Sequence, residues 1–182
     1  MDNKELIVQQ TQKWIKEVVI GLNFCPFAAK EMRLNTIRYT VLEEEGFQII
    51  LEQLIQECVF LDKNEQIETS LLILSNGFKN FQEYLDLLSF AENLIEDQRY
   101  GGIYQLASFH PNYLFADAKE SDPSNFTNRS VYPMLHLLRE KSVAKAIENH
   151  PNVDGIPLRN IELTNKKGLT FMKQLLEQCK HI

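Results

Sequence analysis

The side chains able to do acid/base or anion chemistry in this 182-residue chain gather in one stretch. His110 follows the strand-like segment Ile103 to Phe109 and precedes Pro111. It therefore stands where a strand gives way to a turn, the place where an open α/β sheet presents ligand-binding groups. Asn128-Arg129-Ser130 reads as the start of a helix, where unpaired backbone N–H groups attract an anion and an arginine adds a bidentate grip. In the helix this predicts over about 131–141, Val131, Met134, Leu135 and Leu138 make an apolar face. Tyr132, His136 and Arg139 fall at i, i+4 and i+7 on another face, continuing upward from Arg129. Together they would line one wall of a cleft closed by His110 and the polar loop 117–130. His110 and His136 are then candidate general acid/base groups. Asn128, Arg129, Ser130, Tyr132 and Arg139 are candidates to hold a carboxylate or phosphate. A solvated helix face carries the same residue types, so each of these also has a structural reading.

Cys25, in Asn23-Phe24-Cys25-Pro26-Phe27, is the other candidate. A thiol just after a helix end and just before a proline sits on a defined turn and suits a nucleophile, whereas the flanking phenylalanines equally suit an inert packed thiol. Cys58 lies on the core stripe of its helix and reads as structural; Cys179, near the C-terminus, reads as incidental. His110, His136 and Cys25 lack any zinc-ligand spacing, so no metal is assigned. Gly101-Gly102 precedes a strand rather than a helix and makes no phosphate loop, and no cofactor signature is recognised. Arg159 is either a second anion anchor or a surface residue, and the surface reading is preferred.

The elements that must position these groups follow from periodicity. Asp2 with Glu5 resembles a capping box, and a helical stripe from Ile7 through Trp14 to Leu22 runs to a stop at Gly21. A strand at about 35–42 puts Ile37, Tyr39 and Val41 on one face, and an amphipathic helix follows over about 45–60. Thr69 to Leu74 reads as a buried strand. Asn80 and Glu83 open the next helix, and Ile103 to Phe109 is a third strand, with a short fourth around Leu114-Phe115. Strand-helix-strand order favours parallel pairing through right-handed crossovers. The expected fold is α/β: a small, mostly parallel, three- to four-stranded sheet with flanking helices and a helical C-terminal third. One domain over 1–182 is expected, with an α/β core at 1–116, the polar loop at 117–130 and helices over about 131–141, 142–149 and 157–180.

Composition narrows the partners. With 44% apolar and 24% charged residues the chain has the make-up of an ordinary globular domain, large enough to bury a core without disulfides or structural metals. Three irregularly spaced cysteines, no basic or apolar leader after Met1 and no membrane-length apolar run predict a cytoplasmic protein with no membrane partner. The net charge of −6 argues against a grip on nucleic acid. Residues 1–100 hold 9 basic and 17 acidic side chains and 101–182 hold 10 and 8, so an anion site belongs in the second half.

Four strings carry a resemblance that spans nearly the whole chain: Gly21-Leu22-Asn23-Phe24-Cys25-Pro26-Phe27-Ala28, Ser108-Phe109-His110-Pro111-Asn112-Tyr113, Thr127-Asn128-Arg129-Ser130-Val131-Tyr132-Pro133 with Leu135-His136-Leu137-Leu138-Arg139-Glu140, and Ile156-Pro157-Leu158-Arg159-Asn160-Ile161. Together they resemble a family of bacterial proteins known as domain of unknown function 1415. Phe24 and Val131 stand where that family tends to have Leu and Pro. The resemblance implies a shared architecture and a shared residue cluster, and no reaction. The residues themselves point to an enzyme acting on a small anionic substrate by hydrolysis or group transfer, through acid/base chemistry at His110 or His136 or a Cys25 thiol. The alternative is a non-catalytic module that binds an anionic metabolite or a partner protein. Substrate and oligomeric state stay open.

Overall fold

A computed structural model describes residues 3–182, so the capping box expected at Asp2 lies outside the described residues. Helix α1 (Asn3–Trp14) runs into one wide π-helical turn, Ile15–Ile20, and α2 (Ala28–Leu34) follows the Cys25 turn. The chain continues as β1 (Ile37–Leu42), α3 (Phe47–Lys63), β2 (Thr69–Leu74), α4 (Phe81–Asp97) and β3 (Tyr104–Phe109). A 3₁₀ turn at Pro123–Thr127 leads to β4 (Met134–Arg139), and α5 (Glu140–Glu148), α6 (Gly155–Lys167) and α7 (Leu169–Gln178) complete the chain.

The sheet is mixed, not mostly parallel. Its order is β1-β2-β4-β3; β1 and β2 pair parallel, whereas β4 pairs antiparallel with both β2 and β3. The β1-α3-β2 and β2-α4-β3 connections do give three strands of one direction, as the element order demands. The gap the second crossover leaves is filled by β4. The helix expected over about 131–141 is therefore a strand, and Leu114-Phe115, expected as a strand, is not one. The physical reason lies in burial. Pro133 steers Tyr132 toward extended backbone, and a central strand covered on both faces accepts Met134-Leu135 and Leu137-Leu138 as consecutive apolar pairs. Tertiary context overrides the helix propensity of Met and Leu.

Helices α3 and α4 pack on one face against Leu72, Leu74, Leu135 and Leu137, and Ile50, Leu54, Tyr84 and Leu87 are sealed there. The N-terminal helix and α7 cover the other face, where Trp14, Val18 and Met172 meet Leu71, Ile73 and Met134. Ile37, Tyr39 and Val41 face this second layer, as their alternation predicts. Asn80 caps α4 by accepting from the Gln82 and Glu83 amides. One charge is buried under β1: Glu57 of α3, 1% exposed, accepts from Arg38, Thr40, Gln53 and Ser70. Burial would raise its carboxyl, but the Arg38 guanidinium with Ser70 and Thr40 outweighs it and holds the group below the usual range. Cys179 is fully buried in the second layer rather than incidental, and Cys58 is a core residue as expected.

The π turn dictates its own terminator. A Cβ on Gly21 would run into the Glu17 carbonyl oxygen, although the Gly21 backbone (φ −60°, ψ −34°) is one alanine adopts freely. An ordinary helical Gly→Ala change stabilises by about 0.5–1 kcal/mol. Here the sign reverses: Gly21→Ala is expected to cost about 1–3 kcal/mol through overpacking, read as a lower urea midpoint.

Candidate functional site

Strand alternation sorts the candidate residues onto opposite layers. On β4, Met134 and His136 face the N-terminal helices, whereas Leu135 and Leu137 face α3 and α4. Arg139 follows the second set. Its Nε and one Nη donate to the Ile67 carbonyl at 3.3 and 3.0 Å, and the same Nη reaches the Leu61 carbonyl at 2.7 Å. Further contacts run to the Asn64 carbonyl and the Tyr104 hydroxyl, which places the guanidinium on the C-terminal end of α3. His110 also faces α4, one residue after Phe109 has pointed the other way. It is fully buried, accepts from the Asn112 amide at Nδ1 (2.9 Å) and donates from Nε2 to the Phe78 carbonyl (2.8 Å). Both ring nitrogens are occupied, the ring sits against Phe81 and Tyr84, and burial keeps it neutral by lowering its pKa against the opposing pull of the Phe78 contact.

Around the 117–130 loop the polar side chains brace backbone. Asn128 donates to the Ser108 carbonyl at 3.1 Å, and Ser130 Oγ to the Tyr132 carbonyl at 2.5 Å. Tyr132 donates its hydroxyl proton to Gln10 Oε1 on α1. Arg129 donates to the Tyr113 and Glu120 carbonyls. The loop is thereby tied down. Asn125, fully buried in the 3₁₀ turn, accepts from the Phe115 amide and donates to the Lys119 carbonyl.

The imidazoles and guanidiniums thus do not meet in one pocket. What does converge is Cys25 and His136, in a cavity of about 310 Å³ between the sheet and the helices α1, α2 and α5. Trp14, Ile15 and Val19 form one wall, Phe27, Ala28 and Ile37 another, and Leu71, Ala107, Phe109 and Leu138 the sheet floor. Its volume lies in the range of small-molecule sites, and its lining is apolar with a few polar groups. Ser142 and Val143, in the first turn of α5, border it, and α5 has no side-chain N-cap. Glu31 and Glu68 lie at its edge; Glu31 is held by Lys30 at 3.1 Å and by Thr36 Oγ1 at 2.6 Å. Arg139 borders the cavity without sending its guanidinium there. A larger, more open groove of about 730 Å³ between α3 and α4 is lined by Phe47, Leu51, Ile55, Phe90 and Leu94, with no histidine, cysteine or arginine.

Thr69, a hydroxyl set in the otherwise apolar strand β2, fixes the tautomer of His136. Its hydroxyl proton goes to the Leu137 carbonyl at 2.6 Å, so Oγ1 accepts from His136 Nε2 at 2.7 Å. Nε2 therefore carries the ring hydrogen. Nδ1 has no hydrogen-bond partner among the described residues, yet it is not sealed in, because no fully buried side-chain nitrogen or oxygen there lacks a partner. Burial pushes the imidazole down to about 4, so the ring is neutral at pH 7. Cys25 is partly exposed, whereas burial raises the thiols of Cys58 to about 12 and Cys179 to about 11. Asn160 of α6, itself buried, donates to the Phe24 carbonyl at 2.9 Å, and Arg159 donates to the Asn23 carbonyl, which binds the Cys25 turn to α6. Arg159 is accordingly a clamp rather than a free surface residue. Among the described residues no three His, Cys, Asp or Glu side chains are grouped to hold a metal ion, and no helix is long and apolar enough to cross a membrane.

Neither the curated proteins nor the solved structures searched give a match to the chain. A family described as "Protein of unknown function (DUF1415)" matches residues 6–174, and that span takes in the Cys25 turn, the end of β3, the whole of β4 and α6. By that match, which covers nearly its whole length, the chain belongs to the DUF1415 family.

Proposed function

We propose that the protein is an enzyme acting on a small acidic molecule in the Cys25–His136 cavity, with His136 as the acid/base group and Cys25 as the thiol. The observation that carries this reading is that a neutral imidazole, oriented through Nε2 and with Nδ1 unbonded among the described residues, lines the same cavity as the partly exposed cysteine. Such an atom accepts a hydrogen bond or a proton from whatever occupies the cavity. Burial alone leaves the ring a weak base. A carboxylate or phosphate beside it raises its pKa toward neutrality, so the acidic substrate itself arms the base. The Glu140 amide at the start of α5 is taken by the Ile103 carbonyl, but the turn has no side-chain cap, so its next backbone N–H groups suit that acidic end, and the apolar walls suit the rest of the molecule. The net charge of −6 supports a small molecule over nucleic acid as the partner.

The test is a mass-spectrometric turnover screen of pooled small carboxylic acids and phosphate esters with wild type, Cys25→Ser, His136→Gln and His110→Gln proteins. Turnover is expected to fall at least about a hundredfold in His136→Gln, the usual scale of a general acid/base. It is expected to be lost in Cys25→Ser and to persist in folded His110→Gln. Saturable binding without turnover would instead establish the non-catalytic module, and turnover that survives His136→Gln would remove the proposed base.

A further inference from the structure

Arg129 is a buried cation with no direct ion-pair partner among the described residues: the Glu120 carboxylate favours its charge, but from beyond ion-pair distance. The residue is only 8% exposed. Nε donates to the Tyr113 carbonyl at 3.0 Å and Nη2 to the Glu120 carbonyl at 3.1 Å, and the cation lies 4.8 Å over the Phe126 ring. The remaining nitrogen, Nη1, has no acceptor among the described residues and is not sealed from solvent. A guanidinium this deep is costly unless something pairs with it.

The same residue borders a cleft of about 450 Å³, between the 3₁₀ turn and α7, that is separate from the Cys25–His136 cavity. Lys173 and Lys180 stand on its other side; Asn112 is on its rim, and Phe126 and Pro111 give it an apolar base. Lys173 makes no ion pair among the described residues, whereas Lys180 is shared with Glu177 at 2.7 Å. Glu177 also meets His181 at 3.8 Å. Lys180 is held in place, since its carbonyl accepts from Gln10 Nε2 at 2.5 Å. Arg129, Lys173 and Lys180 outnumber Glu177 in the lining and Glu120 just outside it, so the concave site stays positive on an acidic protein. Arginine with lysines matches a phosphate by bidentate and point-charge contacts, and an apolar floor matches a ring or short alkyl body.

We infer that this cleft binds a small phosphate monoester, as a second site distinct from the proposed active cavity. The probes are phenyl phosphate and inorganic phosphate, titrated calorimetrically into the full chain at low salt. Phenyl phosphate is expected to bind saturably and inorganic phosphate more weakly. Lys173→Gln and Lys180→Gln are each expected to weaken phenyl phosphate about tenfold, and Arg129→Gln to abolish its binding. Should Arg129→Gln fail to fold, the two lysine variants decide alone. Phenyl phosphate binding that weakens in His136→Gln but not in the Lys173→Gln or Lys180→Gln variants would place the ligand in the cavity and overturn the assignment. No saturable heat with phenyl phosphate, or unchanged affinity in the Lys173→Gln/Lys180→Gln double variant, overturns the assignment. Sedimentation with phosphatidic-acid vesicles that phenyl phosphate does not compete away also overturns it, because the site would then read a membrane surface.

Discussion

His136→Gln is expected to remove about 3 kcal/mol of acid sensitivity from the protein. In the fold, burial lowers the imidazole to about 4 from an ordinary value of 6.5, a difference worth 1.36 kcal/mol for each unit. Between those two values the unfolded chain binds a proton at this position that the folded chain does not. Stability from the neutral ring is therefore fully present above about pH 6.5, declines as pH falls and is gone by about pH 4. His110, lowered in the same direction, and the depressed carboxyl of Glu57 add to the decline, so the His136 share is the difference between wild type and variant. Glutamine retains an N–H donor for Thr69 Oγ1 and does not titrate. Urea unfolding at intervals from pH 7 to pH 4 should show the wild-type free energy dropping about 3 kcal/mol further than that of His136→Gln. Parallel curves would mean that the ring is solvated and accepts its proton in the folded state.

Arg139→Ala is expected to cost about 3 kcal/mol at pH 7. The side chain gathers the Leu61, Asn64 and Ile67 carbonyls and the Tyr104 hydroxyl at the end of α3, and hydrogen bonds from a charged donor contribute about 1.5–3 kcal/mol each before relaxation. Its removal leaves several acceptors together without a partner. Arg139→Lys should recover only part of the loss, because an ammonium cannot span carbonyls that a planar fork reaches at once. Denaturation of the three proteins measures both effects. A folded Arg139→Ala protein within about 0.5 kcal/mol of wild type would return the guanidinium to the list of ligand-binding groups, the ordinary range of an uninvolved surface change.

Where the sequence was readable, local chemistry decided the outcome. The continuous run Thr69 to Leu74 is the wholly buried β2, the Asn80–Glu83 pattern is the start of α4, and His110 does stand at the end of a strand. Legibility failed where a residue's neighbours come from far along the chain. Tyr132, His136 and Arg139 line up at helical spacing, but on an extended strand the odd interval from His136 to Arg139 sends the two to opposite layers. The same parity separates Phe109 from His110 and turns the histidine into α4. Pro133 and the doubled apolar pairs around His136 were the signal for a central strand. Nothing local announces that Cys25 and His136 share a cavity, because helix packing on the sheet brings them there. Thr69 was hidden by its setting: a hydroxyl in an apolar run shows its purpose only once Leu137 and His136 lie across from it.

The order β1-β2-β4-β3 also has a temporal side. In chain order β1 and β2 have each other as partners once α3 has been made, but β3 follows with no neighbour in the final sheet to bond. It must wait for a strand encoded thirty residues downstream, and only then do the two halves of the sheet become continuous. Until Met134–Arg139 is in place, the edge of β2 at Leu71 to Leu74 and one edge of β3 lack their partner, the kind of surface that invites pairing between chains. That segment closes the gap like the last stave of a cask.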